Sequence, residues 1–348
     1  MKPYLPHKNS YLVILLFISI ILFFVLDLFL GSVQIPFNDV INILTGNENI
    51  KESWKIIILK SRLPKAIAAI LCGAALSVSG LQMQTLFRNP LAGPYILGIS
   101  SGAGLGVALF VMGLSVFGLS ISSWGILGSY GLVIFSILGS VGVLLILLAI
   151  ISKLRDVMTV LILGIMIGSI ITAVIGIIQY FSNDEQLKSF IIWTMGDLSA
   201  VTLTKARILF FTVSSGVLIS FAISKKLNTY LLGEDYAKSL GINIKSTRVV
   251  VVLTTALLAG SVTAFCGPIG FVGIIVPHMA RMLFGSSDHK ILTLLSILIG
   301  INIMLIADVV AQLPGSEQSL PINSITSLIG IPFIIWIIIK NKSIKAIS

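Results

Sequence analysis

The stretch RLPKAIAAILCGAALSVSGLQMQTLFRNPLAGPYILGISSGA, residues 62–103, decides the class of this chain. From Leu63 to about Thr85 its only charge is Lys65, and small residues crowd the run. Crossing a hydrocarbon layer of about 30 Å takes about 20 helical residues at about 1.5 Å each, and the run has that length. Asn89 and Pro90 then break it, and Pro94 opens a second apolar run at about Tyr95–Gly113, because proline stops one helix and suits the first turn of the next.

Eight further apolar runs extend the pattern. One comes before, at about Tyr11–Leu30. Seven follow, at about Trp124–Ile151, Met158–Phe181, Arg207–Ile223, Val249–Cys266, Phe271–Leu283, Ile291–Ala311 and Ile325–Ile339. The first run exceeds a signal-peptide core of about 7–15 residues and lacks a small-residue cleavage site, so it is expected to stay as a span. Gly267, Pro268 and Gly270 form a second break, between the seventh and eighth runs. A charged amphipathic segment, Ser32–Lys60, follows the first span, and a short apolar helix is expected near Trp193. Lys225–Arg248 is the longest polar segment of the second half, helical in character but without a span. The fold expected is all-α, a polytopic membrane protein of about ten transmembrane helices, with residues 1–348 as one domain.

Composition agrees. The chain is 56% hydrophobic and 10% charged, with a mean hydropathy of +1.08, whereas soluble domains carry about 25% charged residues. The net charge of +10 reads as Lys and Arg held in cytoplasmic loops. No basic, aromatic-interleaved soluble face points to nucleic acid. With the N-terminus inside, 15 of the 23 Lys and Arg fall on inner segments and 8 on outer ones, so both termini are expected to be cytoplasmic. The outer cluster between 51 and 65 runs against that bias.

Several chemistries are missing. No G-x-x-x-x-G-K-[ST] loop occurs, so the chain lacks a Walker A phosphate cradle, and no H-E-x-x-H pair occurs. One G-x-S-x-G match, Gly98 to Gly102, lies inside an apolar run with no His near it, so helix packing explains it better than a nucleophile elbow. Cys72 and Cys266 stand in apolar surroundings without metal-ligand spacing. His278 and Arg281 read as an inner polar pair, since one His without partners makes a poor metal site. Neither a catalytic set nor a metal site is expected. Gly98, Gly102 and Gly106, Gly164 and Gly168, and the looser Gly125 and Ser129 give small-xxx-small faces that let helices approach closely in lipid. Asp27 and Asp308 lie near the expected outer ends of their spans, where a carboxylate costs less than the roughly 2.5–3.5 kcal/mol of mid-bilayer. That position disfavours a proton-driven pump and puts the energy source on another subunit. An ion-coupled secondary transporter remains the alternative, and an intramembrane enzyme would need paired polar residues mid-span.

Residues 62–103 resemble the iron-chelate and cobalamin uptake permease family, FecCD. CGPIGFVGIIVPHMARMLFGSSDHK at 266–290, GEDYAKSLGI at 233–242, and ADVVA at 307–311 before PINSITSLIGIPF at 321–333 resemble it too, in the right order. The resemblance implies a type II ABC importer permease of the bacterial inner membrane, driven by ATP hydrolysis on a partner. Its cargo would be an iron chelate (ferric siderophore or haem), with cobalamin as the alternative within the family. The implied partners are a second copy of the chain, a cytoplasmic ATPase dimer that holds ATP and magnesium, and a periplasmic or lipid-anchored substrate-binding protein. The chain itself would bind no cofactor.

The same resemblance assigns roles by position. Gly233, Glu234, Asp235, Ala237, Leu240 and Gly241 would form coupling helices, near residues 225–247, that receive the ATPase's movement; a solvated loop is the plainer reading. Glu234 and Asp235 would suit the first turn of such a helix, where the dipole favours acids. Arg62 and Lys65 match outer basic positions that receive acids of the binding protein, and the plainer reading is a helix end whose long side chains snorkel. A third basic position of the family is Gln312 here, and its usual acid is Ser319, with Glu317 nearby. Asp156, Val157 and Met158 match a cytoplasmic gate, or merely a turn before a helix.

Overall fold

The structure is a computed structural model that describes residues 7–46, 50–113, 126–153, 156–312 and 319–340. Its helices are α1 (His7–Phe29), α2 (Phe37–Leu44), α3 (Glu52–Leu86), α4 (Ile99–Gly113), α5 (Ile126–Lys153), α6 (Val157–Tyr180), α7 (Asp184–Thr194), α8 (Leu203–Leu231), α9 (Glu234–Ser239), α10 (Ile244–Cys266), α11 (Val272–Phe284), α12 (His289–Ala311) and α13 (Ile322–Lys340). Among the described residues there is no strand. Among the described residues seven helices are long and apolar enough to cross a membrane, and the apolar parts of α4, α11 and α13 are shorter. These ten coincide with the ten apolar runs of the sequence.

Local chemistry sets the helix starts. Side-chain oxygens of Asp156, Asn183, Thr202, Asn243 and Asp288 accept backbone N–H groups at the first turns of α6, α7, α8, α10 and α12, satisfying donors that a helix otherwise leaves open. Two boundaries differ from the sequence expectation. Helix α3 extends back to Glu52 through a π-helical segment at Ile57–Arg62, and α8 runs from Leu203 to Leu231. Lys and Arg are good helix formers, so charge ends the apolar run without ending the helix.

Helix α3 is the axis of the bundle: 89% of its apolar window is buried, with α8, α10, α11 and α12 packed around it. Its small residues allow this. A Cβ on Gly80 would lie 1.8 Å from the Gly273 carbonyl oxygen of α11, and one on Gly73 would lie 2.4 Å from the Gly300 oxygen of α12. The small-residue faces pair elsewhere too: Gly98 meets Gly164 and Gly168, Gly102 meets Gly139, and Gly106 meets the Phe135 backbone. Gly125, of the Gly125–Ser129 face, lies outside the described residues.

Polar side chains fasten the axis. Gln82 donates to Ser220 of α8 at 2.8 Å and accepts from Thr255 of α10 at 3.3 Å. Gln84 donates to the Ile274 carbonyl of α11 and accepts from Arg281 at 2.6 Å. Thr85 meets the His289 ring of α12 at 2.7 Å. Interhelical bonds of this kind contribute about 0.6 kcal/mol each on average, so the set orients four helices more than it stabilises them.

Gly80→Ala tests the close packing. The clash is with backbone and cannot relax by a rotamer change, so overpacking should cost about 1–3 kcal/mol. Cys72 and Cys266 are the two thiols of the chain and both are buried. A thiol-reactive dye during heating therefore reports unfolding, and an unchanged midpoint would contradict the contact.

Candidate functional site

Helix α8 ends at Leu231, and Gly233 turns the chain with φ +123° into α9. Ala237 is the buried residue of α9, and Leu232, Tyr236 and Leu240 are exposed. Glu234 anchors it: the Tyr230 hydroxyl donates to Oε1 at 2.5 Å, and Arg248 of α10 donates to both carboxylate oxygens at 2.7 and 2.8 Å. Burial pushes the Glu234 carboxyl up, and the hydrogen bonds from Tyr230 and Arg248 outweigh it, leaving it below its ordinary value. The pair is therefore charged at neutral pH. Arg88 lies 5.6 Å from the Tyr230 ring centre and donates to the Tyr230 carbonyl at 3.1 Å. Asp235 faces solvent and pairs with Lys238 at 2.9 Å. Gly241, at φ +80°, ends the element.

The arrangement corrects the expectation of paired coupling helices at 225–247. One short helix stands free. Residues 225–231 belong to α8 and 244–247 to α10, because no breaker interrupts them before Gly233 or after Asn243.

Asp156 is an exposed cap of α6: it accepts from the Thr159 N–H at 2.8 Å, the Thr159 hydroxyl at 2.6 Å and the Met158 N–H at 3.3 Å. The Thr159 hydroxyl, with the N–H groups of Thr159 and Met158, holds its carboxyl below the usual range. Val157 opens the helix and Met158 is exposed. Two turns along α6 an open groove of about 380 Å³ begins, between Gly164, Gly168, Ser169 and Thr172 on one side and Tyr95, Gly98 and Ser101 on the other.

The two breaks shape the ground around this groove. Asn89 accepts from the Leu91 N–H at 2.9 Å, Pro90 follows it in the turn, and Pro94 starts a single 3₁₀ turn to Leu97. At the other break Cys266 meets Cys72 of mid-α3 at 3.5 Å, so α10 stops inside the bundle. Asp197 N–H donates to the Cys266 carbonyl, Gly270 N–H to Asn323 of α13 at 2.9 Å, and the Pro268 carbonyl lies beside Gly196. Gly267 sits against the Trp193 carbonyl, where a Cβ would be 2.4 Å away. Irregular backbone at membrane depth is tolerated where protein satisfies it, and these bonds do so.

Arg62 and Lys65 do not stand outward. Arg62 is 7% exposed. Its guanidinium donates to the carbonyls of Leu28 and Phe29 at 2.9 Å and of Val33 at 2.5 Å, closing the open carbonyls at the end of α1. Lys65 pairs with Asp308 of α12 at 2.9 Å, its side chain 14% exposed and that of Asp308 2%. Asp27 of α1 is buried in the same cluster and accepts from Gln312. Both cations, to which the resemblance gives a docking role, are engaged inside the chain in this structure. Ser319 is exposed, and Glu317 lies outside the described residues.

Arg281 donates to Gln84 at 2.6 Å, and His278 lies near enough to feel its charge. Among the described residues no three His, Cys, Asp or Glu side chains group as metal ligands.

Ten apolar helices among the described residues, one of them the buried axis α3, with an open groove along α6, define a polytopic membrane protein. A model of the FecCD transport family matches residues 18–340, and the chain belongs to that family. The hemin transport system permease protein HmuU of Yersinia pestis is 32% identical over 90% of this chain and 90% of its own length. The vitamin B12 import system permease protein BtuC of Escherichia coli is 33% identical over 83% of this chain and 85% of its own. A solved structure of a metal-chelate type ABC transporter in an inward-facing conformation superposes with TM-score 0.81 at 29% identity, covering 95% of this chain and 99% of that one.

Proposed function

We propose that this chain is the membrane-spanning permease subunit of an ABC importer for an iron chelate, a ferric siderophore or haem. The observation that carries the reading is α9: a short helix fastened to α8 and α10 through Glu234 while Leu232, Tyr236 and Leu240 face outward. A partner pressing on that face would act on two spans at once. The partner is an ATPase dimer, which holds ATP and magnesium; this chain binds neither and is no enzyme. ATP drives transport by binding one of two packings of the bundle better than the other.

A second copy of the chain completes the path, with the groove along α6 lining it and the Asp156–Met158 turn gating it. The α9 end lies in the cytoplasm, as the Lys and Arg bias favours. The opposite end receives a substrate-binding protein. There Lys60 and Ser61 are exposed, while Arg62 and Lys65 hold the docking surface in shape from beneath.

Uptake of labelled ferric siderophore, haem and cobalamin by a strain lacking the gene tests the substrate. Loss of iron-chelate uptake alone, restored by the gene, is the expected result. Loss of cobalamin uptake alone would move the cargo to corrinoids and keep the mechanism. Uptake by this chain without an ATPase, collapsed by an ionophore, would overturn the ABC reading.

A further inference from the structure

A second groove lies between α5, α8 and α10, away from the path just described. It encloses about 600 Å³, within the range of small-molecule sites. Ile137 and Val141 of α5, Ile208 and Ile219 of α8, and Leu253 and Ala256 of α10 line it. Four hydroxyls also reach its wall, and each is already spent on a carbonyl. Ser140 donates to Ile99, Thr212 to Leu209, Thr254 to Val250 and Ser261 to Leu258. The groove offers an occupant hydrocarbon surface alone.

Its length holds an acyl chain of one leaflet. Its lining runs 11 residues along α8, from Ile208 to Ile219, and 15 along α10, from Val250 to Phe265, about 16 and 22 Å of helix, against roughly 15 Å for half the hydrocarbon core. One end carries charge. Lys205 lies one turn before Ile208 on the same face of α8, and Tyr130 lies two turns before Ile137 on the same face of α5. The Lys205 amine sits 5.9 Å from the centre of the Tyr130 ring and donates to the Ala200 carbonyl at 3.2 Å. An ammonium has three donors, and among the described residues no carboxylate pairs with this one.

We propose that this groove holds one acyl chain of an anionic phospholipid, with its phosphate on Lys205 beside Tyr130. The tyrosine sits where aromatic residues usually meet the headgroups. The site needs only that the chain spans a membrane, so it stands apart from the choice of cargo.

The test uses the full chain, purified with whatever subunits accompany it, in nanodiscs of equal phosphatidylcholine and phosphatidylglycerol. Native mass spectrometry then counts the lipid retained. The expected result is one tightly held lipid per chain, enriched in phosphatidylglycerol by roughly fivefold, the worth of one lysine near an anionic surface. Lys205→Gln should abolish the enrichment and keep the lipid, Lys205→Arg should preserve both, and Ala256→Phe should fill the groove and release the lipid. Equal retention of the two lipids by the unaltered chain, or unchanged enrichment in Lys205→Gln, would overturn the headgroup assignment. Unchanged retention in Ala256→Phe, or efficient self-crosslinking of Leu253→Cys, which would show a second copy covering the groove, would overturn the site.

Discussion

Gly241→Pro is expected to cut uptake by about a hundredfold while the protein still inserts and melts as before. Gly241 holds φ +80°, and proline is locked near −65°. The glycine N–H also donates to the Lys238 carbonyl at 2.9 Å, a bond proline cannot make. The turn that closes α9 must therefore change its path. Little else need change, because nothing lies within 4 Å of a Cβ built on Gly241 and Ala237 is the one buried residue of α9.

The magnitude follows from what coupling must supply. Moving a two-state bundle from 1:99 to 99:1 takes about 5.5 kcal/mol of differential binding. Losing roughly half of that leaves transport down about a hundredfold, since each 1.4 kcal/mol is tenfold. Gly241→Ala separates shape from chain break: it keeps the N–H and meets only the strain of a left-handed residue, about 1–2 kcal/mol, for a loss of roughly tenfold. ATP hydrolysis by the complex should continue in Gly241→Pro without uptake. Normal uptake by Gly241→Pro would remove α9 from the mechanism.

The ten apolar helices were legible because lipid imposes a length and a composition on membrane-buried segments. Glycine and proline marked both breaks, since their backbone limits act locally. What stayed hidden was pairing across the chain. Glu234 could be placed at a helix start from its neighbours, but its partner Arg248 sits 14 residues on in another helix. Gln82 and Gln84 read as ordinary polar residues in an apolar run until four helices surround them. Arg62 is another such pairing: its guanidinium sits beside three open carbonyls, and the sequence carries no trace of that closeness between residues 28 and 62. The polar run at Lys225 and Lys226 hid the end of α8 for a related reason: a helix needs backbone bonds to continue, and its side chains need only somewhere to go.

The largest loss of stability is expected from Lys65→Met. Asp27 and Asp308 come from α1 and α12, 281 residues apart, and meet at Lys65 of the axial helix. The two carboxyls share a side-chain hydrogen bond, which needs one proton between them, so the pair carries a single charge opposite the Lys65 ammonium. Removing the ammonium leaves the one charge of this buried acid pair without a cation, with Gln312 still donating to Asp27 and Arg62 committed to the end of α1. Breaking a buried ion pair by deleting one partner costs about 3–5 kcal/mol, because the other charge is left uncompensated. Methionine fills much of the lysine volume, so little of the loss should come from a cavity. Adding Asp308→Asn to Lys65→Met should recover most of it, since replacing both members of a buried pair is often nearly neutral. The midpoint of thiol exposure on heating, read for the two single variants and the double, closes the cycle. If Lys65→Met costs less than about 1 kcal/mol, the range of an exposed pair, or if Asp308→Asn fails to rescue it, the cluster does not hold α1 and α12 to the axis. Lys65 would then be free again for a partner outside the chain.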